Sequence, residues 1–274
     1  MTLRVALVQT NTGIDPRLEA VHLPAQIGKA AARGATIVFT PEMSGLLDRD
    51  RARAAGQVVA EGDDVVLAAV REAAAAHGVW VQLGSLALRG EAGDKFVNRG
   101  FLIRPDGSIA ARYAKIHLFD VALGSESWRE SAAYIAGEEA VVAETPWGGL
   151  GLTICYDVRF PALHRALAEA GAGIIAVPAA FTRPTGEAHW HVLLRARAIE
   201  TGCWVIAAAQ TGVHQDGRAT YGHSLVVSPW GDVVLDMGEA PGIGLADIDL
   251  AAVAAARGKV PALEHARPFR VVRA

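Results

Sequence analysis

Short apolar runs alternate along the chain with longer, alanine-rich segments whose apolar positions recur at helical spacing. In the first third, the short runs predict strands over Val5–Gln9, Thr36–Thr40 and Val79–Leu83. The longer segments between them predict helices over Leu18–Ala32 and Asp63–His77. Strand and helix follow one another in the order that builds a sheet covered by helices.

The same alternation returns in the second half of the chain. We expect strands over Leu150–Ile154, Gly173–Val177 and Cys203–Ala208, and helices over Pro161–Ala170 and Glu187–Thr201. Two such series in one chain predict an α/β fold.

Three Pro/Gly turns interrupt this pattern, each between two strand-like runs. They lie at Pro105–Gly107, Pro146–Gly149 and Pro229–Asp232, and such turns favour hairpins. The sheets should therefore be mixed and not purely parallel. Because no low-complexity linker and no close repeat is present, we expect one domain over residues 1–274, with residues 257–274 as a C-terminal extension.

Composition excludes several classes of protein. Hydrophobic residues make up 51% of the 274 positions, and the net charge of −3 provides no basic footprint, so no nucleic-acid partner is expected. No apolar run approaches the ~18 residues of a membrane span, and the N-terminal run is too short for a signal peptide. Two cysteines imply no disulfide framework, so we expect a soluble protein of a reducing compartment, the cytoplasm.

Cys155 occupies the most informative position. An apolar strand ends at this thiol, a turn follows, and a helix begins at Pro161. Sharp strand–turn–helix elbows of this kind hold enzymatic nucleophiles. The positive end of the helix should also favour the thiolate. Cys203, by contrast, lies in an apolar strand and is expected in the core.

A cysteine nucleophile needs a base and a group that stabilises the oxyanion. Glu42 follows an apolar strand, where open α/β sheets place functional groups, although a solvated loop glutamate is the ordinary alternative. Lys115 has mostly apolar neighbours, and its stem could simply lie along an apolar surface. Glu130 lies in a polar stretch that is also typical of an exposed glutamate.

Histidines offer a rival mechanism. A Cys–His dyad with His117, His189 or His223 remains open at this point. His189 and His191 are two apart on a predicted helix and face different sides, so no metal site is expected. No Gly-rich phosphate loop follows a strand, and no cofactor is predicted.

Taken together, the segments around Glu42, Lys115 and Cys155 resemble the nitrilase superfamily of carbon–nitrogen hydrolases. The resemblance runs from Val5 to Asp249. The motif at Ile154–Pro161 and four later segments resemble the Nit branch, which holds deaminated-glutathione amidases and ω-amidases. The four are Gly186–Trp190, Leu194–Glu200, Ala207–Gly212 and Tyr221–Ser224.

The resemblance implies a four-layer α-β-β-α sandwich with mixed sheets and a catalytic set of Glu, Lys and Cys. Glu42 would be the general base and Cys155 the nucleophile that forms a thioester and releases ammonia. Lys115 would stabilise the oxyanion together with the backbone N–H of Tyr156. Glu130 matches the second glutamate of the family, which helps to position the site.

The substrate is expected to be a small linear amide that carries a carboxylate or α-keto acid. Deaminated glutathione is the first candidate and α-ketoglutaramate the second. Phe181 and Thr182 occupy positions that border the substrate in the family, and Arg183 either pairs with a substrate carboxylate or points to solvent. The alternatives are an N-carbamoyl amino acid hydrolase or nitrilase with the same catalytic residues, and a non-catalytic binding member.

A homodimer or higher homo-oligomer is the expected assembly. The two helices after Cys155 carry more apolar positions than we expect one sheet face to cover. Part of this apolar surface would then meet the same surface on a second copy of the chain. These positions are Leu163, Ala166, Leu167, Ala170, Trp190, Leu193, Leu194 and Ala198.

Overall fold

The computed structural model of the chain describes residues 2–90, 95–123 and 126–273. Every helix and strand predicted above is present, with its ends shifted by a few residues. The helices are α1 (Pro16–Ala32), α2 (Arg51–Ala55), α3 (Val65–His77), α4 (Pro161–Glu169), α5 (Arg183–Thr201) and α6 (Ala251–Lys259). The strands are β1 (Thr2–Gln9), β2 (Ile37–Phe39), β3 (Trp80–Arg89), β4 (Phe96–Ile103), β5 (Ile109–Ala114), β6 (Asp120–Leu123), β7 (Glu126–Arg129), β8 (Val141–Thr145), β9 (Gly148–Leu152), β10 (Ala172–Ala176), β11 (Trp204–Ala207), β12 (Thr211–Val213), β13 (Ala219–Tyr221), β14 (Leu225–Val227), β15 (Val233–Asp236) and β16 (Gly242–Asp249).

The strands form two large mixed sheets. The first has the order β16-β1-β2-β3-β4-β5 and the second the order β15-β14-β11-β10-β9-β8. β1, β2 and β3 are parallel neighbours, as are β9, β10 and β11. The three Pro/Gly turns join the antiparallel pairs β4–β5, β8–β9 and β14–β15. The expectation of mixed sheets is therefore confirmed.

Alternation along β1 explains how the layers stack. Val5 and Leu7 enter a core that they share with Leu150 and Leu152 of the second sheet, so the two sheets face each other. Ala6 and Val8 point the other way into a second core, which α1 and α3 cover. The opposite face of the second sheet packs against α4 and α5. The order helix, sheet, sheet, helix is the predicted four-layer sandwich.

Two boundaries differ from the sequence-based expectation. α5 begins at Arg183, four residues earlier than expected, because Pro184 lies in its first turn, where the missing N–H costs nothing. Residue 257, taken as the start of the extension, lies inside α6, and irregular chain begins only after Lys259. No helix in the described part of the chain is long and apolar enough to cross a membrane.

The apolar positions proposed for dimer contact are mostly used inside the protein. Leu163, Leu167, Trp190, Leu194 and Ala198 are buried in the core between the sheets and the helices. The second sheet and the contact between α4 and α5 therefore bury more of these two helices than the sequence suggested. The large apolar side chains that α5 does expose are Val192 and Ile199. A homodimer remains a prediction.

Candidate active site

Glu42 lies three residues beyond the end of β2, in a loop held tightly against β3. The loop passes so close to Gly84 that a Cβ there would lie 2.2 Å from the carbonyl oxygens of Thr40 and Pro41. Met43, the next residue, has a left-handed φ of +55°, which is costly for a non-glycine residue. Close packing and strained backbone together fix the Glu42 side chain, which is only 4% exposed.

Lys115 immediately follows β5 and is 2% exposed. Its ammonium donates hydrogen bonds to Glu42 Oε1 at 2.8 Å and to Glu130 Oε2 at 2.9 Å. Glu130, which follows β7, also accepts a bond from the backbone N–H of Phe119 at 2.6 Å. Two carboxylates from different segments thus enclose one buried cation.

Asn98 on β4 ties the two carboxylates together. Its Nδ2 donates to Glu42 Oε1 at 2.9 Å and to Glu130 Oε1 at 3.3 Å. The second oxygen of Glu42 accepts the backbone N–H of Ala180 at 2.9 Å. A buried carboxylate is stable only when such donors replace water. This group of Glu42, Asn98, Lys115 and Glu130 is called the charged cluster below.

Cys155 stands on a strained elbow between β9 and a short 3-10 turn, Cys155–Arg159. Its φ of +50° lies in the left-handed region, and its backbone N–H is bonded to Pro178 O at 2.8 Å. Asp157 clamps the turn by accepting the N–H of Ile154 at 2.8 Å and the phenol of Tyr113 at 2.6 Å. Strain of this kind persists only where surrounding contacts hold it, as at nucleophile elbows.

Burial and the neighbouring carboxylate of Glu42 set the protonation state of the Cys155 thiol. Burial and then the charge of Glu42 raise the pKa of Cys155 well above its ordinary value, although Lys115 opposes them. The resting group is therefore a thiol, and the expectation that the helix start would favour a thiolate is wrong. Burial and a neighbouring carboxylate outweigh the weak field of a short turn.

The charged partners of the thiol keep their usual charges. Burial alone would raise the pKa of Glu42, but the ammonium of Lys115 outweighs it and lowers the value. Burial alone would lower the pKa of Lys115, but Glu130 and Glu42 hold it well above normal. The arrangement is a neutral thiol beside an ionised carboxylate and an ammonium, which is the state a general base requires before proton transfer.

A cavity of about 480 Å³ opens at this point, a size typical of small-molecule sites. Glu42, Lys115, Glu130 and Cys155 lie together in its wall. The structure thus brings together all four residues predicted to carry the chemistry.

The predicted substrate residues divide into two groups. Tyr156, Phe181 and Thr182 line the cavity. Arg183 does not, because it begins α5 and pairs on the surface with Glu239 at 2.6 Å. The N–H of Tyr156 lies near the start of the 3-10 turn Cys155–Arg159, where backbone donors lack partners within the turn.

The three histidines of the rival dyad lie outside the cavity wall. His117 is hydrogen-bonded to Asp157 at 2.7 Å and stacks on Phe160, so it supports the elbow from behind. His189 contacts Arg159 at 3.3 Å. His223 lies with His191 and Asp236 in a surface group whose ligand-type atoms are within 4.8 Å, the one group in the described residues that could converge on a metal ion.

Sequence reasoning missed Asn98 and Gln210. Gln210 donates to Glu42 O at 3.0 Å and to the hydroxyl of Thr12 at 2.7 Å, which anchors the loop that carries the carboxylate. Asn98 lies in β4 and Gln210 follows β11. A polar residue beside an apolar run is the signal that the sequence offers, but it does not indicate the partners.

Comparison with known proteins agrees with this site. The sequence pattern of the carbon-nitrogen hydrolase family matches residues 4–258. A deaminated glutathione amidase from Yersinia enterocolitica is 41% identical over 266 residues, which cover 96% of this chain and 92% of the relative. The deaminated glutathione amidase of Homo sapiens is 42% identical over 270 residues, or 96% of this chain and 82% of the relative.

Solved structures show the same fold. The C. elegans NitFhit protein superposes with a TM-score of 0.90 at 37% identity, covering 97% of this chain and 65% of that longer one. Saccharomyces cerevisiae Nit3, a member of the nitrilase superfamily, gives 0.86 at 28% identity, with 95% and 94% of the two chains covered.

A glutamate-to-glutamine mutant of an amidase from Nesterenkonia sp. AN1 gives a TM-score of 0.81 at 28% identity, with 97% and 94% of the two chains covered. In that mutant the acetamide moiety of fluoroacetamide is covalently attached to the active-site cysteine. The family match over most of the chain and the relatives above 40% identity lead to one conclusion: this chain is an amidase that belongs to the carbon-nitrogen hydrolase family of the nitrilase superfamily.

Proposed function

We propose that this amidase hydrolyses small linear amides that carry a carboxylate or α-keto acid, through a thioester on Cys155. The observation that carries the proposal is the placement of the Cys155 thiol and the buried, ionised carboxylate of Glu42 in one cavity wall, where that charge raises the pKa of the thiol. Lys115 lies 2.8 Å from that carboxylate, and all three groups open onto one cavity. This is the arrangement required to activate a thiol at the moment of attack.

In the first half-reaction the sulfur of Cys155 attacks the amide carbonyl while its proton passes to Glu42. The carbonyl electrons move onto oxygen, and Lys115 and the N–H of Tyr156 stabilise that charge. Glu42 then gives its proton to the departing nitrogen, the C–N bond breaks, and the acyl group stays on sulfur as a thioester.

In the second half-reaction water attacks the thioester and Glu42 accepts a proton from it. The C–S bond breaks, the acid is released, and the thiolate recovers its proton from Glu42. Glu130 and Asn98 hold Glu42 and Lys115 in register throughout, so we assign both to positioning the base and the oxyanion donor.

Deaminated glutathione is the first substrate candidate because the curated relatives above 40% identity carry that name. Its scissile amide joins a five-carbon keto acid to cysteinylglycine, so the departing amine would be this dipeptide. Ammonia would be released only from a primary amide such as α-ketoglutaramate, the second candidate. The general expectation of ammonia release therefore does not apply to the first.

A substrate panel tests the proposal. It contains deaminated glutathione, α-ketoglutaramate, glutamine, an N-carbamoyl amino acid and a simple nitrile, and both the acid and the amine products are quantified. We expect the highest kcat/KM with one of the two keto acids, and an acyl-enzyme mass on Cys155 after rapid quenching. Preference for the carbamoyl compound or the nitrile would contradict the substrate class, and turnover without an acyl adduct at any time point would contradict the thioester.

A further inference from the structure

The cavity wall carries two groups of charged residues. In the first, Lys115 is paired with Glu42 and Glu130 and is assigned to the oxyanion, so it is not counted as a partner for a substrate carboxylate. The second consists of four arginines, and we call them the entrance arginines. They are Arg49, Arg51, Arg129 and Arg218.

Arg218 differs from the other three entrance arginines. Arg49, Arg51 and Arg129 are exposed, whereas the Arg218 side chain is only 22% exposed. Its Nε is fully buried and has no hydrogen-bond partner among the described residues. A buried guanidinium N–H without an acceptor is unfavourable, and a ligand oxygen would satisfy it.

The hairpin β12–β13 holds Arg218 in place. Asp216, whose side chain is fully buried, accepts the backbone N–H of Arg218 at 2.9 Å and pairs with its Nη2 at 3.2 Å. The hairpin is joined to the cavity wall by a bridge between Thr182 and Thr220. The guanidinium is therefore fixed along one edge, while its Nε has no hydrogen-bond partner among the described residues.

The nearby carboxylates do not neutralise all four entrance arginines. Asp48 lies in the same wall but is bonded to both Nε and Nη2 of Arg53, at 2.6 and 2.8 Å. Asp216 also accepts the backbone N–H of Arg49 at 2.8 Å. Asp48 is paired with Arg53, and Asp216 with Arg218. Neither carboxylate therefore neutralises the charges of the other three entrance arginines.

Tyr134 lines the cavity together with Glu130 and Arg218. Burial and the charge of Glu130 raise the pKa of its phenol, and the charge of Arg218 opposes them. The phenol is therefore within electrostatic reach of both groups. The cavity that these residues share, about 480 Å³, is large enough for a small bifunctional molecule.

We propose that Arg218 binds the carboxylate of the substrate while the amide lies at Cys155, which makes Arg218 the residue that selects anionic amides. The assignment rests on the proposed amidase mechanism. It replaces Arg183, whose guanidinium is committed to Glu239 outside the cavity. The carboxylate could belong to the acyl part of the substrate or to the departing amine, and the substrates below separate the two.

The kinetic test compares four amides. Glutaramate carries a carboxylate on the acyl part, and N-butyryl-cysteinylglycine carries one on the departing amine. Pentanamide is the neutral match of the first, and N-butyryl-cysteinylglycine amide is the neutral match of the second. Arg218→Met should raise KM about ten- to a hundredfold for the anionic member of one pair and less than about threefold for its neutral match.

Two further variants make the result specific. Arg218→Lys keeps the charge and should recover part of the lost affinity, whereas a purely structural role would show no such recovery. Arg165→Met removes a guanidinium paired with Glu169 on the surface, with the same change in net charge, and should leave all four KM values unchanged. The proposal is wrong if anionic and neutral amides lose affinity equally, or if Arg183→Met reproduces the selective loss.

A binding measurement separates this proposal from the proposed function. Glutaramate and N-butyryl-cysteinylglycine are each titrated calorimetrically into Cys155→Ala and into the double variant Cys155→Ala/Arg218→Met. Binding of either amide that weakens about tenfold or more in the double variant supports the role of Arg218, even if wild-type enzyme turns over none of the amides. Equal binding of both amides to the two proteins overturns it, whatever the activity of the wild type.

Discussion

The two cysteines have burial in common and differ in nearly everything else. Cys155 is 7% exposed and Cys203 is fully buried, and burial raises the pKa of both thiols. Cys203 donates to Ala172 O at 3.2 Å and accepts from Arg257 Nη2 at 3.1 Å, inside the core. Cys155 lies beside an ionised carboxylate, has left-handed backbone and opens onto the cavity.

The comparison shows that a buried thiol becomes a candidate nucleophile through its neighbours. Arg257 lowers the pKa of Cys203 more directly than Lys115 lowers that of Cys155, since it donates straight to the sulfur. Yet Cys203 is fully buried, and no carboxylate or histidine among the described residues is hydrogen-bonded to it. Accessible space and a proton acceptor distinguish the two sites, and thiol acidity does not.

The largest effect should come from replacing the thiols one at a time. Cys155→Ala should lower kcat/KM by about 10⁴ or more, because the group that forms the thioester is gone. Cys203→Ala should keep kcat within about twofold and lower the free energy of unfolding by about 1 kcal/mol. Steady-state kinetics and urea unfolding measure the two quantities. A folded Cys203→Ala protein without activity would break the comparison.

Glu42→Gln should separate the nucleophile from its base. Turnover should fall about 10²- to 10⁴-fold, since the amide cannot accept the proton. Alkylation of Cys155 by iodoacetamide should nevertheless persist, because the variant loses a charge that raises the pKa of the thiol and keeps Lys115. Peptide mass spectrometry before and after labelling gives the site. A labelling rate that falls in step with turnover would show that Glu42 has another role.

Asn98→Ala tests how far the surroundings of Cys155 depend on a residue that does not touch it. The two lost hydrogen bonds to charged groups predict a fall in kcat of about 10- to 100-fold with KM little changed. The amide also lowers the pKa of Glu42, so the acid limb of the pH–rate profile should move to higher pH. A change in stability alone, with the profile unmoved, would make Asn98 merely structural.

Acid should weaken the protein through the same carboxylate. The folded-state pKa of Glu42 is lowered, so its contribution to stability is present above its unfolded-state value of about 4.3 and is lost as the pH falls through the folded value. The difference in unfolding free energy between wild type and Glu42→Gln should therefore shrink below about pH 4.3. Urea unfolding across this range measures it, and a difference that grows on acidification contradicts the assigned sign.

The smallest effect on catalysis should come from the neighbour of Cys203. Arg257→Ala removes donors to Cys203 Sγ, Ala172 O and Thr201 O, and should reduce the unfolding free energy by about 1–3 kcal/mol. Activity per folded molecule should not change. If kcat falls while the protein stays folded, the Cys203 region is coupled to the cavity and the contrast is weaker than stated.

The sequence was informative where periodicity or chain position carries the signal. Short apolar runs predicted the central strands because both of their faces are buried. The ends of β2 and β9 marked the places of Glu42 and Cys155, whereas the role of Lys115 came from the family resemblance. The start of α5 was also available, since Thr182 followed by Arg183 and Pro184 is a typical helix start. That signal would have moved Arg183 out of the cavity.

Other features depend on contacts that no local pattern encodes. Asn98 looks like an ordinary polar residue in a strand, and its role appears only when Glu42 and Glu130 arrive from elsewhere in the chain. Arg218 follows an Asp-Gly turn that is typical of an exposed hairpin tip. The protonated state of Cys155 could not be predicted either, because it follows from burial and from the approach of Glu42.

The charged cluster has a consequence for how a turnover ends. With Glu42 and Glu130 ionised against Lys115, it carries one formal negative charge in excess. Hydrolysis creates a new carboxylate at this position, where the neutral amide had been. The new carboxylate is therefore repelled by this excess charge, whereas the amide group that it replaces is neutral. The side chains that activate the thiol thus also promote release of the product.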